Sequence, residues 1–166
     1  MIILIMGTTA SGKTTIGRML AGRLGWDFAD ADDFHPPANV AKMSQGIPLT
    51  DADRAPWLQA LHDKIVSWDA ESCNVILACS ALKQAYRDEL LVGSLVTLIY
   101  LKGSYELFSQ RVRARQGHFA KIDILAGQFR DLEEPTEAIT VDARLSPQEM
   151  VDQICAALAR AHILPT

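Results

Sequence analysis

The sequence predicts an α/β fold in which a parallel sheet is covered by helices on both faces. Short, continuously apolar segments rich in branched side chains recur along the chain, as strands buried on both faces do. Between them lie segments whose apolar residues return every three or four positions, the pattern of amphipathic helices. The 166 residues, 49% hydrophobic and 22% charged, suit one domain with one good core. They do not suit a disordered chain, a collagen-like repeat or a coiled coil. No repeat, low-complexity tract or linker divides them, so residues 1–166 are expected to form a single domain.

Each element follows in order. Ile2 to Met6 is the first buried strand, and a Gly-rich turn follows it. Ile16, Met19, Leu20 and Leu24 recur at helical spacing, with Gly25 as the stop. Asp27 to Ala29 reads as a short second strand, and Asp30 to Pro37, polar and carrying two prolines, as a loop. Thr50 followed by Asp53 is a helix-capping pair, with Pro56 placed in a first turn. Trp57, Leu61, Ile65 and Trp68 then mark the core face of that helix. Val75 to Cys79 is the third strand, and Ala81 to Leu91 a charged helix. Val96 to Leu101 is a strand that ends at Gly103, and Leu107, Phe108 and Val112 begin a helix with a basic far end. Gly117 to Lys121 interrupts it before Ile122 to Leu132 resumes helical spacing. Ile139 to Val141 is the last strand, and Met150, Val151, Ile154 and Leu158 line the closing helix, which Pro147 opens.

Charge and cysteine usage narrow the function classes. Sixteen Lys and Arg stand against 20 Asp and Glu, a formal charge of -4. Such a field repels polyanions, so no nucleic-acid partner is expected. The longest purely apolar run, Met1 to Met6, is far too short to span a bilayer and lacks the flanks of a signal peptide. No membrane association is expected. Cys73, Cys79 and Cys155 have no paired spacing, which points to a reducing cytoplasm. Cys79 reads as buried strand rather than as a nucleophile.

Gly7-Thr8-Thr9-Ala10-Ser11-Gly12-Lys13-Thr14 fits GxxxxGK[ST] without a gap, between an apolar strand and an amphipathic helix as that motif requires. The two glycines let successive N–H groups turn inward around a phosphate, and the helix start adds free donors. Lys13 supplies a full charge to the outer phosphates, Thr14 a hydroxyl to Mg²⁺, and Thr15 continues the loop into the helix. These residues predict binding of a nucleoside triphosphate, without saying what its terminal phosphate is used for.

Asp30, Asp32 and Asp33 follow the second strand, where the carboxyl ends of parallel strands line a ligand crevice. One carboxylate there can hold hydrated Mg²⁺ while another orients an acceptor hydroxyl. The third strand ends Ala78-Cys79-Ser80, without the acidic residue many such ATPases place there, which leaves the metal to the second strand's acids. Arg111, Arg113 and Arg115 precede Gly117-His118-Phe119; on a helix 111 and 115 share a face. Guanidinium groups on a Gly-hinged lid suit a transferring phosphoryl group and expel water. Lys83 and Arg87, four apart, would share a helix face near the strand ends and, with Ser80 and Tyr86, receive a polyhydroxylated anion.

With these residues in hand the chain resembles the gluconokinases, small P-loop sugar-acid kinases. The similarity runs nearly end to end, through DADDFHPPANVAKMSQGIPLTDADRAPWL, CSALKQAYRDEL, IYLKG, RARQGHF and QFRDLEEP. The resemblance implies transfer of the γ-phosphoryl group of ATP to the 6-hydroxyl of D-gluconate. It also implies a P-loop NTPase fold with sheet order 2-3-1-4-5, a helical lid over approximately 113–132, and a homodimer. By position, Lys13, Asp32 and Arg115 take catalytic roles, and Thr14 with Asp30 takes the metal. Asp32, His35, Ser80, Lys83, Arg87, His118 and Gln128 take the sugar acid. By looser similarity to shikimate kinases, Arg111 and Pro147 hold the adenine. A shikimate kinase remains the rival within enzymes, although Cys79-Ser80-Ala81 stands where those have three glycines, and a non-catalytic ATP sensor is the rival outside them. Two departures stand out: Ala10 where the family usually has Gly, and Asp30-Ala31-Asp32 where it has DGD. Either alanine is strained if its position needs φ > 0.

Overall fold

The computed structural model of the chain describes residues 1–92, 96–114 and 119–163. Five parallel strands, β1 (Ile2–Met6), β2 (Asp27–Asp30), β3 (Val75–Ala78), β4 (Val96–Lys102) and β5 (Ile139–Asp142), form one sheet in the order β2-β3-β1-β4-β5. Side chains alternate across it, as the two-residue period of a strand requires. Ile3 and Ile5 of β1 join Ile76, Ile99, Leu101 and Val141 under α1 (Lys13–Leu24) and α7 (Pro147–Arg160). Ile2, Leu4 and Met6 face the other way, with Val75, Leu77 and Tyr100, against α3 (Asp51–Ala70). Trp57, Leu61, Ile65 and Trp68 line that face of α3 as their spacing indicates, all buried. A third cluster, built on Phe108, Val112, Leu125 and Ala143, joins α5 (Tyr105–Ala114) to α6 (Phe119–Asp131).

Local chemistry sets the ends of these elements. Thr50 and Asp53 form a reciprocal capping box on α3, and Ser146 and Glu149 form another on α7, where Pro147 takes the first helical position. Gly25 closes α1 at φ 69.

The ends of β2, β3, β4 and β5 differ from the sequence reading by one residue, and four differences are larger. Asp30 to Pro37 is not all loop: Ala31–Phe34 is a 3-10 turn, and Pro37 opens helix α2 (Pro37–Ser44). Two adjacent prolines suggest a break, yet the second sits at a helix start, where its missing N–H costs nothing. Pro56 lies inside α3, beyond its first turn. The helix after β3 is shorter than Ala81 to Leu91: α4 spans Gln84–Leu90, and Lys83 is its cap. α6 begins at Phe119, ahead of Ile122. Arg115, Gly117 and His118 lie outside the described residues.

Candidate active site

The loops after β1, β2 and β3 meet at the carboxyl ends of the strands, because the parallel register sets Asp30 and Ile5 on either side of Ala78. The first is the phosphate loop. Gly12 (φ 101) caps α1 without any side-chain bond, so the leading N–H groups of the helix are open to a ligand. Gly7 is required for a second reason: a Cβ there would stand 2.7 Å from Ser11 Oγ. Ala10 sits at φ 65, so the first of the two departures does fall on a left-handed position. Ala31 does not have a positive φ; it is buried at the start of the 3-10 turn.

Ala10, Gly12, Lys13, Thr14 and Thr15 line the concavity of this loop. Lys13 Nζ donates to the Thr8 carbonyl at 2.9 Å. Burial lowers its ammonium below the ordinary range, and the nearby Asp32 and Asp30 carboxylates offset part of that. Thr14 Oγ1 donates to Asp30 Oδ2 at 3.0 Å, so a hydroxyl and a carboxylate converge beside the loop. Such an oxygen pair fits Mg²⁺, which takes few protein ligands and completes its shell with phosphates and water. Arg111 joins the loop to the far side of the sheet, donating to Ala10 O and to Ala143 O, just ahead of the α7 start at Pro147.

Asp30 Oδ1 accepts from the Asp32 amide at 3.2 Å and so caps the 3-10 turn that presents Asp32. The Asp32 side chain is 84% exposed, yet the neighbouring protein withdraws part of its carboxyl's hydration. That partial desolvation, and then the Asp30 charge, push its pKa above the ordinary aspartate value. His35 stacks on Trp57 at 4.5 Å and 12°, and its side chain is only 5% exposed. Asn39 Nδ2 donates to Asp53 O and also faces His35 Nδ1 at 3.3 Å. An amide donor opposite Nδ1 places the imidazole proton on Nε2, which lies 4.0 Å from Asp32 Oδ1. Burial lowers the His35 pKa, so the ring is neutral at pH 7.

Beside these groups lies a polar cleft lined by Arg54, Trp57, Ser80, Leu82, Tyr86, Gln128 and Asp131. Ser80 and Gln128, two of the residues the resemblance assigns to the sugar acid, are among its lining. Lys83 stands at the margin, both oxygens of Asp51 at 2.9 Å, with the Tyr86 hydroxyl donating to the same carboxylate. Those hydrogen bonds, from Tyr86 first and then Lys83, hold Asp51 below the usual carboxylate range. Arg87 is not on the Lys83 face. It is buried, donating to Ala81 O, Leu82 O and Gln84 Oε1, and it clamps the loop after β3 from beneath. The sequence reading passed over Arg54 and Asp51. The signal was available in an acid and a base three apart in the first turn of a capped helix, but the capping pattern accounted for that turn by itself. Cys79 is buried, and desolvation pushes its thiol up to about 12, so it is inert.

Gln128 lines the cleft, and its Oε1 accepts from the Thr9 amide of the phosphate loop at 2.5 Å. Whatever the loop holds is therefore one side chain away from whatever the cleft holds. A donor site for a triphosphate abutting a small polar acceptor site, on this sheet order, defines a small-molecule kinase of the P-loop class. The shikimate kinase family model matches residues 9–159. A probable gluconokinase from Xenopus tropicalis is 45% identical over 167 residues, covering 88% of each chain. The gluconokinase of Gluconobacter oxydans (strain 621H) is 40% identical, covering 92% of this chain and 88% of that one. The crystal structure of a gluconokinase from Sinorhizobium meliloti 1021 superposes with a TM-score of 0.86 at 38% identity, covering 96% and 91% of the two chains. This chain belongs to the gluconokinase family, within the shikimate-kinase-like group.

Proposed function

We propose that the chain transfers the γ-phosphoryl group of ATP to the 6-hydroxyl of D-gluconate, giving 6-phospho-D-gluconate. The observation that carries this reading is the Gln128–Thr9 hydrogen bond, which sets phosphate loop and acceptor cleft side by side. Phosphoryl transfer passes through a loose transition state, so the protein mainly aligns the two oxygens and stabilises charge. Lys13 supplies charge to the terminal phosphates, and the residues from Gly7 to Thr15 cradle them. Asp32, whose pKa is raised above the ordinary aspartate value by desolvation and then the Asp30 charge, accepts a hydrogen bond from the 6-hydroxyl and takes its proton late. The neutral His35 Nε2–H faces Asp32 and steadies it. Ser80, Arg54, Tyr86, Lys83 and Gln128 receive the hydroxyls and carboxylate of the sugar acid. Arg87 enters only by holding the loop that carries Ser80.

Mg²⁺ is the cofactor we assign to Thr14 and Asp30; it neutralises charge on the phosphates. Arg111 and Pro147 are assigned to the adenine, Arg115 and His118 to the lid. We read residues 1–166 as one domain with that lid over 113–132, and the protein as a cytoplasmic homodimer. Among the described residues no helix is long and apolar enough to cross a membrane. The test is ADP release over a panel of sugar acids, shikimate and nucleoside monophosphates. Gluconate is expected to give the highest kcat/KM by at least an order of magnitude. Preference for shikimate, or release independent of any acceptor, contradicts the reading.

A further inference from the structure

We propose that Gln128 is a positioning residue that links acceptor binding to the filling of the phosphate loop, by giving up the Thr9 amide when a triphosphate arrives. This rests on the cleft being the acceptor site. Gln128 reaches across 119 residues of chain to bond Thr9 N–H, in the loop built to surround an anion. A neutral carboxamide oxygen is a weak occupant of such a loop, because hydrogen bonds to a charged phosphate are roughly twice as strong. The base of the side chain is well packed. One turn before it Leu125 is fully buried, and the adjacent Phe129 ring lies 5.5 Å from Tyr105 and 6.2 Å from Phe108. Releasing the Thr9 amide needs no movement beyond the end of the Gln128 side chain, whether or not the proposed lid moves.

The same side chain lines the acceptor cleft. Its Nε2 group finds no acceptor among the described residues, so once released the carboxamide offers two donors and an acceptor to a polyhydroxylated ligand. In the bonded state the oxygen is committed to Thr9. Filling the loop therefore frees a ligand group for the cleft, and by linkage an occupied cleft favours nucleotide by the same factor. Acceptor and nucleotide bind cooperatively, and the carboxamide is the part that has two positions.

Two measurements decide this. The first uses a non-hydrolysable ATP analogue with Mg²⁺ and no sugar acid. In ¹⁵N-labelled parent, the Thr9 amide and Gln128 side-chain resonances are expected to shift together on titration, and in Gln128→Met the Thr9 resonance starts displaced. A Gln128 carboxamide that does not respond to the analogue overturns the release step. The second is the Kd of gluconate with and without the analogue. The parent is expected to bind gluconate roughly 5–150-fold tighter with nucleotide present, the usual range for coupled sites. In Gln128→Met that factor falls to about one while the Kd of the analogue alone is equal or tighter. Gln128→Glu, whose carboxylate holds Thr9 more strongly and repels phosphate, weakens the analogue instead. Coupling that persists in Gln128→Met overturns the inference. A parent that never phosphorylates gluconate overturns the acceptor assignment, and the nucleotide-only titration still decides the release step.

Discussion

Partial desolvation, and then the nearby Asp30 charge, raise the Asp32 pKa above its ordinary value. A carboxyl whose folded-state pKa exceeds its unfolded value stabilises the fold when protonated. That contribution is complete below the unfolded pKa, about 3.9, and is lost as pH rises through the folded value. Asp32→Asn fixes the uncharged form. It should melt above the parent at pH 7 and lose that advantage below about pH 3.5, while gluconate phosphorylation falls roughly 10²–10⁴-fold. Thermal melts at both pH values and turnover on the same preparations check the two halves; near-parental turnover makes Asp32 a bystander. Arg87 makes the opposite prediction to its sequence assignment. Its side chain gives two hydrogen bonds to the loop after β3 and a third to Gln84 at the start of α4, at about 1 kcal/mol each. Arg87→Met should therefore lower Tm by roughly 6–12 °C for about 3 kcal/mol, and should not simply raise the gluconate KM. A variant of parental Tm with only a raised KM would restore Arg87 to the acceptor. The sequence could not separate Lys83 from Arg87, since spacing places both near the strand ends but does not say which faces the interior. The phosphate loop was legible residue by residue because its contacts are fixed by covalent spacing.

Among the elements, the phosphate loop stores strain in Ala10, whose φ of 65 costs an alanine roughly 1–2 kcal/mol. Glycine relieves that, but it loses the methyl packed against the cluster of Phe108, Val112, Leu125 and Ala143 and gains freedom in the unfolded chain. Ala10→Gly should raise Tm by about 1–3 °C, at a net gain of about 0.5–1 kcal/mol. A fall in Tm would mean the methyl contact outweighs the strain. Strands and the larger helices were readable from period alone: β1 is buried on both faces, and α3 carries its Trp57–Trp68 stripe into the core. α2 was not. It is short, it begins at the second of two prolines, and its one buried residue is Asn39, so it shows no apolar face. The 3-10 turn was hidden for a related reason, because what organises it is a side-chain bond from Asp30 to the Asp32 amide.

Over the whole molecule, strand order brings three loops far apart in sequence to one rim, and α6 returns Gln128 to the first of them. The alternation of strands and helices predicted the parallel sheet; the strand order itself came from resemblance, since no local pattern encodes it. Nor does local pattern show that the phosphate loop and the acceptor cleft share a wall, which is a property of the assembled fold. In the proposed reaction the acceptor's terminal hydroxyl is aimed at the phosphate. The most direct measurement compares ADP release from Mg²⁺-ATP with D-gluconate and with 6-deoxy-D-gluconate, following the phosphate by ³¹P NMR. One phosphomonoester is expected per ADP with gluconate. With the deoxy compound, which still binds the cleft, no phosphoester at all is expected. A phosphoester formed equally from both compounds, or ADP released with inorganic phosphate as the only product, would contradict the proposed reaction.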